Sequence, residues 1–452
     1  MISSDSYDVV VVGGGPAGAS AAIRTRMAGL RTLLVEKESV PRFRIGESLL
    51  PAGNAFLAEL GVAEKIDRAG FIEKFGARFL LASGNADKAV VFANGHVPGL
   101  DKSYQVDRAR FDALLLDHAR ELGVEVRTRT TVRAVAPAAD GHAITLAPSP
   151  SASGADNASS AAPALISARY VIDCSGRDNV FASDLKADLD PPALPTKRIA
   201  LYNHFRGIPR ATGPAGGDTV IIRLPEGWFW IIPIDAERTS VGLVTTQAAF
   251  KAAGLAPAEY FARVVASSPR LRDLFVSAAP TMGFHVTADY SYYRRRLAAA
   301  RLVLAGDSGG FLDPIFSSGV YLALFAAKHA AELVVLAHRE ARDITAREQS
   351  RYTRRVKDHG RVFHRLIEAF YDPDAFAVFM CPLPPLNLAP GLTSIVAGHA
   401  RLTWPLWWRF KIFLLVCRLQ RHLPLVPRLD LQNPAAAGMP PSLSPEADRA
   451  AA

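Results

Sequence analysis

Cysteine is scarce in this chain: Cys174, Cys381 and Cys417 are all there is among 452 residues, and none has metal-ligand spacing. Three scattered thiols exclude a disulfide framework and a thiolate metal site, so the expected setting is a reducing cytoplasm. The histidines form no HxxxH pair beside carboxylates, and no metal site is expected. No basic segment followed by an apolar run opens the chain, so no secretory signal is read there. Before residue 400 no stretch reads as a bilayer span, which needs about 20 predominantly apolar residues. Tryptophan is scarce as well, with five in all, which makes its placing informative. Two stand one residue apart in "GWFWIIPI", Gly227–Ile234, and three lie together at Trp404, Trp407 and Trp408.

What is present is ordinary for a soluble enzyme of two or three domains: half the residues are hydrophobic and a fifth charged. The formal charge of +9 suits an anionic cofactor, an acidic partner or a membrane surface and singles out none of them; nucleic acid is not expected as a partner. The β-branched run Tyr7–Val12, the Ala/Arg-rich stretch Pro16–Ala28 and "RTLLVEKE", Arg31–Glu38, read as a βαβ unit. Val106–Gly123 reads as an amphipathic helix, with Phe111, Leu114, Leu115 and Ala119 at helical spacing. The Ser/Ala/Pro stretch Ala147–Ala164 reads as the long disordered tip of a hairpin. Four β-like runs between Lys197 and Gln247 predict an antiparallel sheet. "RLVLAGDSGG", Arg301–Gly310, restarts a strand–turn–helix pattern, and beyond Ala327 the chain reads as helical to Leu429. The segment Leu402–Leu429 carries the three late tryptophans with Arg409, Lys411 and Arg418. It is too interrupted to span a bilayer, and two readings stay open: an interfacial helix or one packed over the protein's own apolar groove.

"VVVVGGGPAGASAA" places Gly13, Gly15 and Gly18 as GxGxxG directly after a strand and before a helix, with Glu36 ending the next strand. Gly13 allows the tight turn, Gly15 lets the backbone approach a pyrophosphate, and Gly18 lets helix pack on strand. The helix that starts at Pro16 offers the amides of Ala17 and Gly18 to phosphate, and Glu36 can accept a ribose hydroxyl. A dinucleotide is therefore expected.

Together with "VDRARFD" (Arg108), "VIDCSGR" and "LVLAGDSGGFLDP" (Asp307), this order resembles the FAD-binding monooxygenase superfamily of p-hydroxybenzoate hydroxylase, from Tyr7 to about Ala327. Four further segments resemble flavin-dependent halogenases, nearest to variants acting on phenols or carrier-bound pyrroles. They are Trp228-x-Trp230-x-Ile232-Pro233, the Phe311/Pro314/Ser317/Gly319 pattern of "FLDPIFSSG", "GFIEKFGARF" with Lys74, and "PRFRIGESLLP" with Arg44 and Ser48.

The resemblance implies an α/β fold: a Rossmann-type FAD-binding domain (1–76 with 103–185 and 286–345), a β-sheet substrate domain (77–102 with 186–285), a helical C-terminal region (346–431) and a disordered tail (432–452). It implies FAD, held by Gly13, Gly15, Pro16, Ala17, Gly18, Glu36, Lys37, Arg44, Ser48, Arg108, Asp307 and Gly319. It implies chloride or bromide on the amides of Ser318 and Gly319, and oxygen as co-substrate. Hypohalous acid formed at the flavin would travel to Lys74, which directs it to an electron-rich ring, while Trp228 and Trp230 keep that ring off the flavin. Phe316 stands where tryptophan halogenases carry a glutamate, which favours a phenol or pyrrole over free tryptophan. No second dinucleotide fingerprint follows, so a separate flavin reductase is the implied partner. An acyl carrier protein bearing the ring is another, matched by the basic face of Ser350–Leu366, and peripheral contact with the inner face of the cell membrane is a third. The alternatives are an FAD-dependent hydroxylase and a flavin-dependent reductase of the geranylgeranyl reductase type.

Overall fold

The computed structural model describes residues 5–84, 86–149, 163–178, 180–181, 189–190, 196–288, 291–381 and 388–431. The first part of the chain runs β1 (Ser6–Val12), α1 (Pro16–Met27), β2 (Thr32–Val35), α2 (Pro51–Glu59), α3 (Ala63–Arg68), β3 (Ile72–Lys74), β4 (Gly76–Leu81), β5 (Asp87–Val91) and β6 (Ser103–Gln105). Then come α4 (Arg108–Glu121), β7 (Glu125–Arg127), β8 (Thr130–Ala138), β9 (Gly141–Pro148), β10 (Ala164–Asp173), β11 (Arg198–Arg206), β12 (Thr219–Arg223), β13 (Gly227–Pro233) and β14 (Thr239–Thr246). After α5 (Gln247–Ala253), α6 (Pro257–Ala266) and α7 (Pro269–Phe275) come β15 (Ala279–Pro280), β16 (His285–Ala288), β17 (Tyr292–Tyr293), β18 (Leu302–Leu304) and β19 (Gly310–Phe311). The chain closes with α8 (Ser318–Arg339), α9 (Ala346–Tyr371), α10 (Pro373–Met380), α11 (Ala389–Val396) and α12 (Trp404–Gln420).

The first sheet grows outward from β1, whose Val9–Val12 are all buried, as a strand covered on both faces must be. Its parallel core runs β7-β2-β1-β10-β18, and β8 and β9 continue it antiparallel from the other half of β10. Strands β9 and β10 pair as a hairpin from Ala164 opposite Leu146, so the flanks of the low-complexity stretch are a ladder; its tip, 150–162, lies outside the described residues, as does 432–452. Helix α1 is built almost entirely of small buried residues, which lets it sit close against the sheet and α8.

The second sheet runs β15-β11-β14-β13-β12-β4-β5, with β16 on β11. It is antiparallel except where β4 meets β12. Strand β4 arrives from far earlier in the chain, so no hairpin dictates its direction. Alternation along β13 divides the faces: Trp228, Trp230 and Ile232 face the C-terminal helices, while Phe229 and Ile231 pack on Tyr260, Phe261 and Leu271. The helices on that outer face, α5 to α7, are absent from the sequence reading although Thr246 and Ser268 cap two of them.

Helix α8 is long and apolar enough to cross a membrane by length and composition, which corrects the expectation that no stretch before residue 400 reads as a span. Its apolar character has another use here, because its buried residues pack on α1 and α9. Helix α12 resolves the open question about its inner side: Phe410, Phe413, Val416 and Cys417 are buried in the core shared with α9, α10 and the tryptophan face.

Candidate active site

The turn after β1 is shaped by steric necessity. Gly13 has φ +105°, and a Cβ there would lie 2.2 Å from the Cys174 carbonyl oxygen; one at Gly18 would lie 1.8 Å from that of Gly13. At Gly15 the situation reverses, since a Cβ would meet nothing nearer than Arg42 Nη2 at 4.0 Å. That open side lies at the N-terminus of α1, which no side chain caps, so its amides are free for an anion. Glu36 closes one end of the cradle. Its Oε2 accepts from the Gly14 amide at 2.7 Å and from Arg42 at 3.1 Å, and its Oε1 accepts from the Glu38 amide at 2.9 Å. The opposite wall comes from Gly306 and Asp307, where a Cβ at Gly306 would sit 2.9 Å from that of Ala17. Burial pushes the Asp307 carboxyl up to about 6, with Arg108 and Arg177 pulling it back down.

Lys74 ends β3 and is only 2 % exposed, among the largest fully buried side chains. Its Nζ donates to Ser48 Oγ at 2.8 Å and to the Leu49 carbonyl at 3.2 Å, and lies 5.4 Å from the centre of the Phe92 ring. Ser48 Oγ is in turn 3.0 Å from Thr219 Oγ1, which accepts from Gln105 Nε2 at 2.9 Å. Burial lowers the Lys74 amine to about 7, opposed by the charge of Asp218. Asp218 binds the Phe75 amide at 3.2 Å, and burial raises its own carboxyl to about 6. A lysine titrating near neutrality can serve as a donor or as a nucleophile. One residue before Ser48, Glu47 reaches the other way: its Oε1 lies 2.6 Å from His204 Nε2, with both side chains buried.

Trp228 and Trp230 share one face of the second sheet. Trp230 lies over Gly242, directly opposite on β14, where a Cβ would come within 2.1 Å of the indole. Its Nε1 donates to Ser240 Oγ at 3.2 Å. Trp228 Nε1 donates to Tyr371 Oη at 2.9 Å, and that hydroxyl donates to Asp313 Oδ2 at 2.9 Å. Asp313 caps the turn leading to α8, accepting from the Ile315 amide at 3.1 Å. The α8 N-terminus has no side-chain cap of its own, with Ser317 at φ +54° and Ser318 buried. It is a second helix start with amides available to an anion. A cleft lined by Gly306, Asp307, Gly310, Asp313, Ser318 and Gly319 runs from this loop to the Gly306–Asp307 turn.

The sequence profile of the tryptophan halogenase family matches residues 8–90 and 81–375. The chain belongs to this family. A 1H-pyrrole-2-carbonyl-[peptidyl-carrier protein] chlorinase of Pseudomonas fluorescens is 31 % identical over 82 % of this chain and 84 % of its own length. The fold matches a flavoprotein/dehydrogenase from Cytophaga hutchinsonii (TM-score 0.82, 26 % identity, covering 92 % of this chain and 99 % of that one). It also matches the flavin-dependent brominase Bmp2 (TM-score 0.79, 26 % identity, 92 % and 99 %). The chain is thus a flavoenzyme of the halogenase family, whose members use FAD and halide.

The cradle fits FAD: an open glycine at an uncapped helix start, a carboxylate at the end of β2 and a second carboxylate at Asp307 are the groups a dinucleotide needs. Several residues expected at the halogenase's cofactor have further partners. Lys37 pairs with Asp178 at 2.6 Å and Arg44 with Glu38 at 2.5 Å, both partly exposed. Arg108 is clamped on Asp112 and donates to the Ile45 carbonyl at 2.7 Å, bracing the segment that carries Ser48. Ser48 itself joins Lys74. Sequence reading missed Arg42, Asp218, Thr219, Asp313, Tyr371 and the Glu47–His204 pair. For Asp218 and Asp313 a signal existed, each being an acidic residue beside a recognised segment, but only folding shows what each carboxylate holds.

Proposed function

We propose that this chain halogenates an activated aromatic ring of phenol or pyrrole type, carried on a protein or a long apolar chain, with reduced FAD delivered in the cytoplasm by a separate reductase. The observation that carries this reading is Lys74: an amine sealed from water, held on Ser48 and Leu49, and lowered to about 7. Reduced FAD in the cradle supplies, with oxygen and halide, the hypohalous acid. Glu36, Asp307 and the α1 amides bind the cofactor. The Ser318–Gly319 amides hold the halide. In its ammonium form Lys74 uses two N–H groups on Ser48 and Leu49 and directs the third at hypohalous acid, polarising it toward the ring. Trp228 and Trp230 have their N–H groups satisfied by Tyr371 and Ser240, so they act as flat apolar walls between the half-sites.

Phe316 supports an electron-rich substrate. It packs against Phe79, Phe370 and Phe379 and brings no carboxylate to the site. The nearby Asp313 carboxyl is committed to Tyr371. A ring attacked here must therefore supply its own activation. The chlorinase relative acts on a pyrrole held on a carrier protein, in line with this choice.

The test combines the enzyme with FAD, a flavin reductase, NADH, oxygen, bromide and a panel of phenols and carrier-bound pyrroles, read by mass spectrometry beside Lys74→Ala. A bromine isotope doublet that needs Lys74 is expected. Oxygen insertion in place of bromine would make the enzyme a hydroxylase and overturn the role given to the tryptophans.

A further inference from the structure

Helix α12 is apolar on both sides, and only one is used by the fold. The inner side fills the core that reaches Trp228 and Trp230. On the other, Trp404 is 75 % and Leu415 52 % exposed, and Trp407 and Leu419 are exposed with them, as are Leu423 and Leu425 just past the end of the helix. A surface helix of a globular protein ordinarily turns a polar face outward. Here the polar groups on that side are cations, Lys411 and Arg418, with Arg401 just ahead of the helix. Between Asp374 and Asp430 the sequence has no acidic residue at all, against six arginines and lysines from Arg401 to Arg428. Among the described residues Lys411 and Arg418 have no carboxylate partner. Arg421 and Arg428 are tied down to Asp372 and Asp374, which anchors the end of the helix to α10.

We propose that the outer face of α12 docks the enzyme on an anionic lipid bilayer. The helix is about 25 Å long and its inner side is committed to the protein, so it must lie in the plane of the interface. Tryptophans at headgroup level, leucines below and cations toward lipid phosphates are the groups such a helix needs. The other occupants fit less well. A second copy seated symmetrically would place the cations of both copies in one contact, with no carboxylate on either α12 to answer them. The chain after Leu431 is rich in Ala, Pro and Ser and offers only Met439 and Leu443 as large apolar cover. An acidic carrier protein would answer the cations but leave the tryptophans and leucines in water. A lipid surface would also bring a substrate with a long apolar chain to the same side of the molecule as the aromatic core behind the tryptophan wall. The docking does not rest on the halogenase reading, since sedimentation is measured without turnover.

The experiment is co-sedimentation of the FAD-loaded full-length enzyme with phosphatidylcholine vesicles, with and without phosphatidylglycerol. The parent is compared with Trp404→Ser/Trp407→Ser and with Lys411→Gln/Arg418→Gln. Binding is expected only with phosphatidylglycerol and should weaken with salt. The double glutamine variant should lower partitioning about thirty-fold, and the serine variant should abolish it. FAD binding and bromination of a soluble phenol should stay at the parent's level, which shows that the variants fold. No binding to the anionic vesicles, or binding that the variants do not change, would overturn the proposal. So would capture of an acidic carrier protein in place of lipid, a concentration-dependent dimer that the serine variant dissolves, or vesicle binding that emerges only after residues 432–452 are removed.

Discussion

Burial makes the ammonium of Lys74 expensive, and the charge of Asp218 recovers part of that cost, so the amine titrates at about 7 in place of the ordinary lysine range. If the ammonium is the form that directs hypohalous acid, Lys74-dependent bromination is constant below pH ~7 and falls about tenfold per unit above it. A profile that instead rises through neutrality would assign the work to the free amine. Asp218→Asn removes this opposing charge, so the falling limb should move to lower pH while FAD binding is retained. Lys74→Ala should keep FAD and lose at least about a hundredfold in halogenation, the scale of removing one donor from a dry site; single-turnover assays with prereduced enzyme measure it without the reductase.

At the scale of elements, strand β13 is tied to helix α9 and to the loop before α8 through one hydroxyl. Tyr371 accepts from Trp228 and donates to Asp313. Tyr371→Phe leaves a buried indole N–H and the Oδ2 of Asp313 without their partner, and should destabilise the enzyme by about 1–3 kcal/mol, measured by denaturant unfolding. Trp228→Phe combined with it should cost less than the sum of the two single changes, because the second change removes a group the first has already orphaned. Between β13 and β14 the constraint is steric. Gly242→Ala would push a methyl group into the Trp230 indole, so soluble yield and thermal stability should fall more than for an alanine at an ordinary strand glycine.

For the whole molecule, the proposed cofactor site depends on distant parts of the chain meeting. Gly13–Gly18 and Glu36 come from the start, Arg108 from the middle, and Gly306–Asp307 with Ser318–Gly319 from beyond residue 300. FAD should therefore brace the two ends against each other. At a concentration about a hundred times its dissociation constant it should add about 2.7 kcal/mol to unfolding, seen as a raised thermal midpoint. Asp307→Ala should remove most of that rise at the same FAD concentration. An unchanged rise would take Asp307 out of the cofactor site.

The sequence by itself determined the dinucleotide turn, part of each sheet (β1, β2 and β18 of the first, β11 to β14 of the second), the shared face of the tryptophans and the family, because each rests on local spacing. A glycine at a turn, a period of two along a strand, or a motif a few residues long is written in neighbouring positions. Only the tertiary structure decided how Lys74 is held, since Ser48, Asp218 and Thr219 lie 26 to 145 residues away from it in the chain and nothing local joins them. It decided the Trp228–Tyr371–Asp313 link for the same reason. It also decided which side of α12 is core and which is free, because a helix apolar on both sides carries no sign of its own about which face its protein will bury.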